Sequence, residues 1–150
     1  MDGEVYYLPM TLANSLKEFF MHSKKFTVKE IHLDTFGHVN NATYLELFED
    51  ARWDLVTERG YGLKRVRETG IGPTVLEIEI KFRQELRLRD EVLIESNVES
   101  YEGKVGKLRQ KMLLKDGSLA CDALFTFGLF DTGQRKLIEP NEEWLNALKD

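Results

Sequence analysis

The chain has few of the residues that form cross-links or bind metals. Its 150 residues include one cysteine, Cys121, so an intramolecular disulfide is excluded, and we predict an inert core thiol because its surroundings are apolar. The histidines lack the spacing of a zinc site, and we predict no metal and no cofactor; they are His22, His32 and His38. A domain of this length buries ~68–70% of its unfolded surface, so it needs no cross-link to fold.

Excess positive charge and long apolar runs are also lacking. Lys and Arg number 21 against 26 Asp and Glu, and the net charge of −5 gives no electrostatic drive for binding nucleic acid. No apolar run approaches the ~18 residues of a membrane span, and the acidic start MDGEVYY does not match a secretory signal. We therefore expect no nucleic-acid partner, no membrane span and a cytoplasmic location.

The composition indicates one globular domain, since 42% of the residues are hydrophobic and 31% are charged. We assign that domain to residues 24–150 and treat residues 1–23 as an extension. In the extension, Ser15 and Glu18 have capping-box spacing within a short amphipathic pattern. The apolar residues of that pattern are Leu12, Leu16, Phe19 and Phe20. We expect a short helix there, packed on the main domain or on a partner subunit.

The domain begins with a predicted strand over residues 24–33, followed by one long helix. Asn40 and Asn41 are both good N-cap residues, and the helix is predicted to end at Gly60, a residue suited to a left-handed C-cap. The apolar stripe of this helix consists of Tyr44, Leu47, Phe48, Ala51 and Leu55. This spacing is typical of a helix with one buried face.

After Pro73 the apolar period becomes two. A half-buried strand is predicted in which Leu76, Ile78, Ile80 and Phe82 alternate with charged residues. Further strands are predicted over residues 92–101, 104–115 and 123–129, with a hairpin turn at 116–117, a short strand at 137–138 and a last helix after Pro140. The fold class is α+β, an antiparallel sheet of about five strands wrapped around a long central helix. Such a sheet leaves edges that need a partner, so we expect a homo-oligomer.

The segment that indicates chemistry runs from His32 to Asp54 and reads HLDTFGHVNNATYLELFEDARWD. It combines a strand end, a tight turn at Gly37 and a helix N-terminus. The first helical N–H groups have no intrahelical acceptor and carry partial positive charge, so they can polarise a substrate carbonyl. Asp34 lies just upstream, where it could attack that carbonyl directly or act as general base on water. The alternative is that Asp34 only caps the turn before Gly37.

This segment resembles the signature of the hotdog-fold thioesterases, in particular the bacterial long-chain acyl-CoA thioesterases related to 4-hydroxybenzoyl-CoA thioesterase. The similar residues are Leu33-Asp34, His38-Val39-Asn40-Asn41-Ala42, Tyr44-Leu45-Glu46, Glu49 and Ala51-Arg52-Trp53-Asp54. The resemblance implies a hotdog fold, assembled as a homodimer or homotetramer with its sites at the subunit interface. It implies Asp34 as the catalytic aspartate and the backbone N–H near Asn41 as the group that polarises the thioester carbonyl.

One position departs from a related motif. The plant acyl-carrier-protein thioesterases have an Asn two residues after the aspartate and a His two further on. Phe36 occupies the Asn position here, while His38 is kept. We therefore expect His38 to be an auxiliary residue or a hydrogen-bonded turn residue.

For the other candidate residues, the sequence leaves more than one role open. Tyr44 is a core residue or a ligand contact, and Asn40 is a cap beside the substrate. Glu49 is a second catalytic carboxylate or the ion-pair partner of Arg52. The CoA phosphates are bound by one of two basic sets, either Arg83, Arg87 and Arg89 or Lys104, Lys107, Arg109 and Lys111.

The predicted function is hydrolysis of a medium- to long-chain acyl-CoA. The partner is thus the acyl-CoA substrate. Two alternatives stay open. One is a non-catalytic acyl-CoA binding protein, although the extension is short for an output domain. The other is a hotdog hydratase or dehydratase, which would need a His-Glu or Asp-His arrangement that the sequence lacks.

Overall fold

The computed structural model describes residues 21–149, in which an antiparallel sheet of six strands packs against one long helix. The helix expected between Leu12 and Phe20 lies outside the described residues. The first strand begins at His22, inside the segment assigned to the extension.

The strands are β1 (His22–Thr27), β2 (Ile71–Phe82), β3 (Glu91–Glu102), β4 (Val105–Leu114), β5 (Leu119–Asp131) and β6 (Lys136–Ile138). The helices are α1 (Asn41–Glu58), α2 (Leu63–Thr69) and α3 (Glu142–Ala147). The sheet order is β1-β3-β4-β5-β2, with the short β6 paired to β5. The predicted α+β class and the central helix are confirmed, and β6 is the short strand predicted at residues 137–138.

The bounds of α1 follow from local chemistry. The Asn40 side chain accepts a hydrogen bond from the Ala42 N–H at 2.9 Å, which is an N-cap. At the other end Gly60 has φ of +85°, the left-handed conformation predicted for it. The buried residues of α1 are Tyr44, Phe48, Ala51, Leu55 and Val56. The predicted helix and its buried face are confirmed.

The core lies between α1 and the face of the sheet that packs against it. Phe125 of β5 and Phe48 of α1 are both fully buried, with their rings edge to face at a centroid distance of 5.8 Å. Burying such side chains contributes ~1.5–3 kcal/mol each. The predicted alternation in β5 is confirmed, because Ala123, Phe125, Phe127 and Leu129 are all buried.

Strand β2 forms as predicted, but its apolar face is unevenly buried, since Ile80 packs against the core while the other three predicted residues are about half exposed. Leu76, Ile78 and Phe82 are 48%, 41% and 51% exposed. The reason is topological, because among residues 21–149 β2 pairs only with β5 and is an edge of the sheet. An alternating apolar pattern shows that one face is suited to burial, and the position in the sheet decides whether a neighbour covers it.

The first strand is shorter than predicted. It ends at Thr27, where its pairing with β3 reaches Glu91, the first residue of that strand. A 3-10 turn over Glu30–His32 follows, in which the His32 ring accepts the Lys29 N–H. Helix α2 was not predicted at all.

Candidate active site

The turn that carries Asp34 is held by hydrogen bonds at both the backbone and the side chain. The Asp34 N–H donates to the His38 carbonyl at 2.8 Å, and Gly37 has φ of +78° at the tip of the turn. The Asp34 Oδ1 atom accepts from the N–H groups of Phe36 at 2.8 Å and His38 at 3.3 Å. Asp34 therefore does cap the turn. Its Oδ2 atom receives no hydrogen bond from residues 21–149, so one carboxylate oxygen remains available.

The turn leads directly into α1. A cleft of about 490 Å³ opens beside it, lined by Asp34, His38, Val39, Asn41, Tyr44, Phe82, Arg83, Gln84 and Glu85. Asn41 is the first residue of α1, so its backbone N–H lies ahead of the intrahelical hydrogen bonds. Asn40 caps α1 next to it. A carboxylate and a helix N-terminus thus meet at one cleft.

The segment after β2 forms the opposite wall. The Val39 N–H donates to the Leu86 carbonyl at 2.9 Å, and His38 pairs with Arg87 in an isolated β-bridge. The His38 Nε2 atom lies 2.7 Å from Glu85 Oε2. The hydrogen bond from Arg87, together with the charges of Arg87 and His38, lowers the pKa of Glu85, so this carboxylate stays ionised beside His38. Glu85 was missed in the sequence, where nothing connects it to His38.

Tyr44 forms the inner wall of the cleft. It is 4% exposed, and its ring packs edge to face on Phe82 at 5.0 Å. Burial raises the pKa of the Tyr44 hydroxyl, which therefore stays protonated at neutral pH. Tyr44 is both a core residue and a wall of the cleft.

Of the predicted basic residues, Arg83 lines the cleft. It has no ion pair among the described residues, whereas Arg87 pairs with Glu85 and Arg89 pairs with Glu30 at 2.6 Å. Arg83 is therefore the basic side chain at the cleft that is free to bind an anion.

Three other predicted residues lie elsewhere. Lys107 and Arg109 are on the face of β4 away from α1, because the alternating Leu108 and Gln110 are buried towards it. Lys107 donates to Thr126 at 2.7 Å, and Arg109 contacts Glu99 at 2.5 Å and Asp122 at 3.0 Å. Glu49 lies farther along α1 and lines a different cavity.

Cys121 is a free thiol with no exposed surface. Within residues 21–149, no helix combines the length and the apolar composition that crossing a membrane requires. The same part of the chain contains no cluster of three or more His, Cys, Asp or Glu side chains that could hold a metal ion.

Comparison with known sequences gives a consistent result. The profile of a family described as the thioesterase-like superfamily matches residues 29–148. The long-chain acyl-CoA thioesterase FadM of Escherichia coli strain K12 is 37% identical over 112 residues, which cover 74% of this chain and 84% of FadM.

Solved structures share the fold. The probable thioesterase YbaW from Escherichia coli is similar with a TM-score of 0.77 and 32% identity, over 86% of this chain and 99% of YbaW. The protein SAV2348 from Staphylococcus aureus, whose structure was solved in complex with CoA, has a TM-score of 0.80 at 20% identity, over 85% of this chain and 81% of that one. The second similarity concerns the fold alone.

Proposed function

We propose that this chain hydrolyses the thioester of a medium- to long-chain acyl-CoA to the free acid and CoA. The chain belongs to the thioesterase-like superfamily, which supports the proposal. The observation that carries this proposal is the meeting of Asp34 and the N-terminus of α1 in one open cleft. The name of the relative FadM supports the acyl-CoA substrate and the longer chains.

The reaction needs a polarised carbonyl and an activated oxygen nucleophile. We assign the Asn41 N–H as the donor to the thioester carbonyl oxygen, and a donor of this kind typically lowers the barrier by ~2.7–4 kcal/mol. Asp34 Oδ2 then accepts a proton from water as the water oxygen bonds to the carbonyl carbon. The carbon–sulfur bond breaks, and the proton passes to the CoA thiolate. Direct attack by Asp34 is the alternative, with water hydrolysing the resulting anhydride.

His38 contacts two carboxylates at this site. Its ring contacts the ionised Glu85, and its backbone N–H contacts Asp34 Oδ1. We assign it the auxiliary role of holding the turn and the carboxylate in place. Arg83, at the same cleft and without an ion pair to any described residue, is assigned to the CoA phosphates.

The exposed edge of β2 supports a homo-oligomer. Leu76, Ile78 and Phe82 are apolar and open to solvent, and unpaired edge strands of this kind pair readily with a second chain. A two-fold axis through β2 gives a homodimer, and a tetramer would pair two dimers. Because Phe82 also lines the cleft, such a dimer would have its sites at the subunit interface. We further propose a cytoplasmic location and a role in lipid metabolism, in keeping with the free thiol of Cys121.

The test is release of free CoA thiol from acyl-CoAs of short, medium and long chain and from an aryl-CoA. Wild type is expected to hydrolyse one class, and Asp34→Ala is expected to lose ~10²-fold or more in kcat/KM. Asp116→Ala is the matched control, since Asp116 caps the Ser118 N–H of a hairpin turn at 2.8 Å outside the cleft. It should keep wild-type activity.

Two outcomes would overturn the proposal. If wild type binds acyl-CoA and hydrolyses none of the panel, the chain is an acyl-CoA binding protein. If Asp34→Ala and Asp116→Ala lose equal activity, Asp34 acts only through its turn.

A further inference from the structure

Three short turns lie together beside the cleft of Asp34, and we call them the turn patch. They comprise residues 29–32, 34–38 and 87–90. The second and third turns meet where His38 pairs with Arg87 in an antiparallel bridge. The first and third turns meet where Arg89 contacts Glu30 at 2.6 Å. The three turns are therefore held side by side.

The turn patch carries the two most exposed large apolar side chains of residues 21–149. Ile31 is 85% exposed and Phe36 is 81% exposed, whereas no other large hydrophobic residue in that range exceeds 51%. Leu88, in the third turn, is 43% exposed. Each turn thus presents one apolar side chain to solvent, and apolar side chains grouped in this way commonly mark an interaction surface.

The exposed charges of the turn patch are mainly positive. They are three cations and one carboxylate, on Lys29, Arg87, Arg89 and Glu30. Glu85, just outside the patch, pairs with Arg87 and still leaves an excess of positive charge. The other acids of the turns, Asp34 and Asp90, are half-buried and accept N–H hydrogen bonds within their own turns. The patch therefore suits an anionic partner, although the net charge of the chain is −5.

The size of the patch favours a lipid surface over a protein as that partner. A stable protein interface uses ~20–30 residues on each side, whereas the three turns comprise 13 residues. A lipid surface does not need to have a complementary shape. Apolar side chains enter its acyl-chain region, and cations bind anionic head groups that lie within a Debye length of ~8 Å.

We propose that the turn patch docks the chain on an anionic lipid bilayer, with Ile31 and Phe36 inserted among the lipid chains and the basic side chains on the head groups. Asp34 and His38 belong to the patch and line the cleft, so docking holds the cleft at the lipid surface. This goes beyond the proposed function, because docking requires neither a thioester nor its hydrolysis.

The experiment is co-sedimentation of the 150-residue chain with vesicles of phosphatidylcholine, prepared with and without phosphatidylglycerol. Wild type is expected to bind the anionic vesicles ~10-fold more strongly than the neutral ones or better, because each basic residue near the surface adds to the attraction. Added salt should remove most of this difference, since it screens the charges.

The variants separate the apolar contribution from the charge. Phe36→Ser and Ile31→Ser should each lower the partition coefficient ~10-fold or more, because the burial of a large apolar side chain is lost. Leu63→Ser is the matched control, since Leu63 is 49% exposed on α2 and lies outside the patch, and it should bind like wild type. Lys29→Gln should weaken binding to the anionic vesicles alone. Lys64→Gln, at an exposed lysine of α2, should not.

Insertion is measured with lipids that are brominated on their acyl chains and quench a nearby tryptophan. The added emission of Phe36→Trp is expected to be quenched on vesicle binding. The added emission of the control Leu63→Trp is expected to remain.

Several results would overturn the proposal. They are no binding to either vesicle, equal binding to both vesicles, a Phe36→Ser variant that binds like wild type, and a Phe36→Trp variant that is not quenched. If Phe36→Ser lowers the wild-type mass in analytical ultracentrifugation, the patch is an interface between copies of the chain instead. None of these measurements uses hydrolysis, so failure of the docking proposal leaves the thioesterase proposal standing, and the converse also holds.

Discussion

Asp34 and Asp116 occupy similar turns but have different surroundings. Each accepts a hydrogen bond from the N–H two residues later, at 2.8 Å in both cases. Asp116 belongs to an exposed hairpin, whereas Asp34 lies in a cleft with the first N–H of α1 and with Arg83. The turn holds Asp34 Oδ1, while Oδ2 receives no hydrogen bond from residues 21–149, so the cap leaves free the oxygen that we assign to catalysis.

Besides Tyr44, two buried acids make the fold sensitive to alkaline pH. Burial raises the pKa of the Cys121 thiol to about 12 and that of the Tyr101 hydroxyl to about 12. A folded-state pKa above the unfolded value gives stability that is complete below the unfolded pKa and is lost as the pH rises through the folded one.

We therefore expect the free energy of unfolding to fall between about pH 9 and pH 12, with a slope of up to about 1.4 kcal/mol per pH unit for each group. Urea unfolding at a series of pH values measures it. Cys121→Ala should remove the part of the slope that begins near pH 9. A stability curve of Cys121→Ala that runs parallel to wild type would contradict this.

Among the elements, α1 positions the site, and its first turn depends on one side chain. Asn40 accepts the Ala42 N–H at 2.9 Å, next to the Asn41 N–H assigned to the substrate. Asn141 caps α3 in the same way, accepting the Trp144 N–H at 2.8 Å, and does not line the cleft. The two caps therefore form a natural pair for comparison.

Asn40→Ala and Asn141→Ala are each expected to lower the free energy of unfolding by ~1 kcal/mol, because each leaves a helix N–H without its acceptor. Asn40→Ala alone should also lower kcat/KM for the acyl-CoA. Chemical denaturation and the thiol-release assay check both. Equal activity of the two variants would mean that the cap does not influence the site.

At the scale of the whole molecule, the exposed edge of β2 is the feature that bears most on assembly. Its exposed apolar residues, Leu76, Ile78 and Phe82, belong to the strand next to the cleft. A partner on this edge would bury them and complete the wall of the site.

Ile78→Lys is expected to convert an oligomer to a monomer, because it places a charge in the middle of the proposed contact. Leu88→Lys is the control, since Leu88 is 43% exposed, close to the 41% of Ile78, and lies outside β2. Analytical ultracentrifugation gives the masses. A monomeric wild type, or an Ile78→Lys variant that keeps the wild-type mass, would contradict the dimer.

The sequence by itself determined the elements whose causes are local. The apolar spacing and caps of α1, the alternation in β5 and the turn at Asp116-Gly117 all depend on residues a few positions apart. The same holds for the Asp34 turn beside the helix N-terminus, because the turn and the helix are adjacent in the chain. These features were predicted and are present in the structure.

Only the tertiary structure determined which residues from distant parts of the sequence lie beside these local features. It brought Glu85 to His38 and Arg83 to the cleft, and it put Lys107 and Arg109 on the other face of the sheet. The end of β1 and the exposure of β2 were likewise set by neighbouring strands. The spacing of apolar residues in the sequence indicates which face of a helix or strand is apolar. Pairing and packing between segments that are distant in the sequence determine which residues that face contacts.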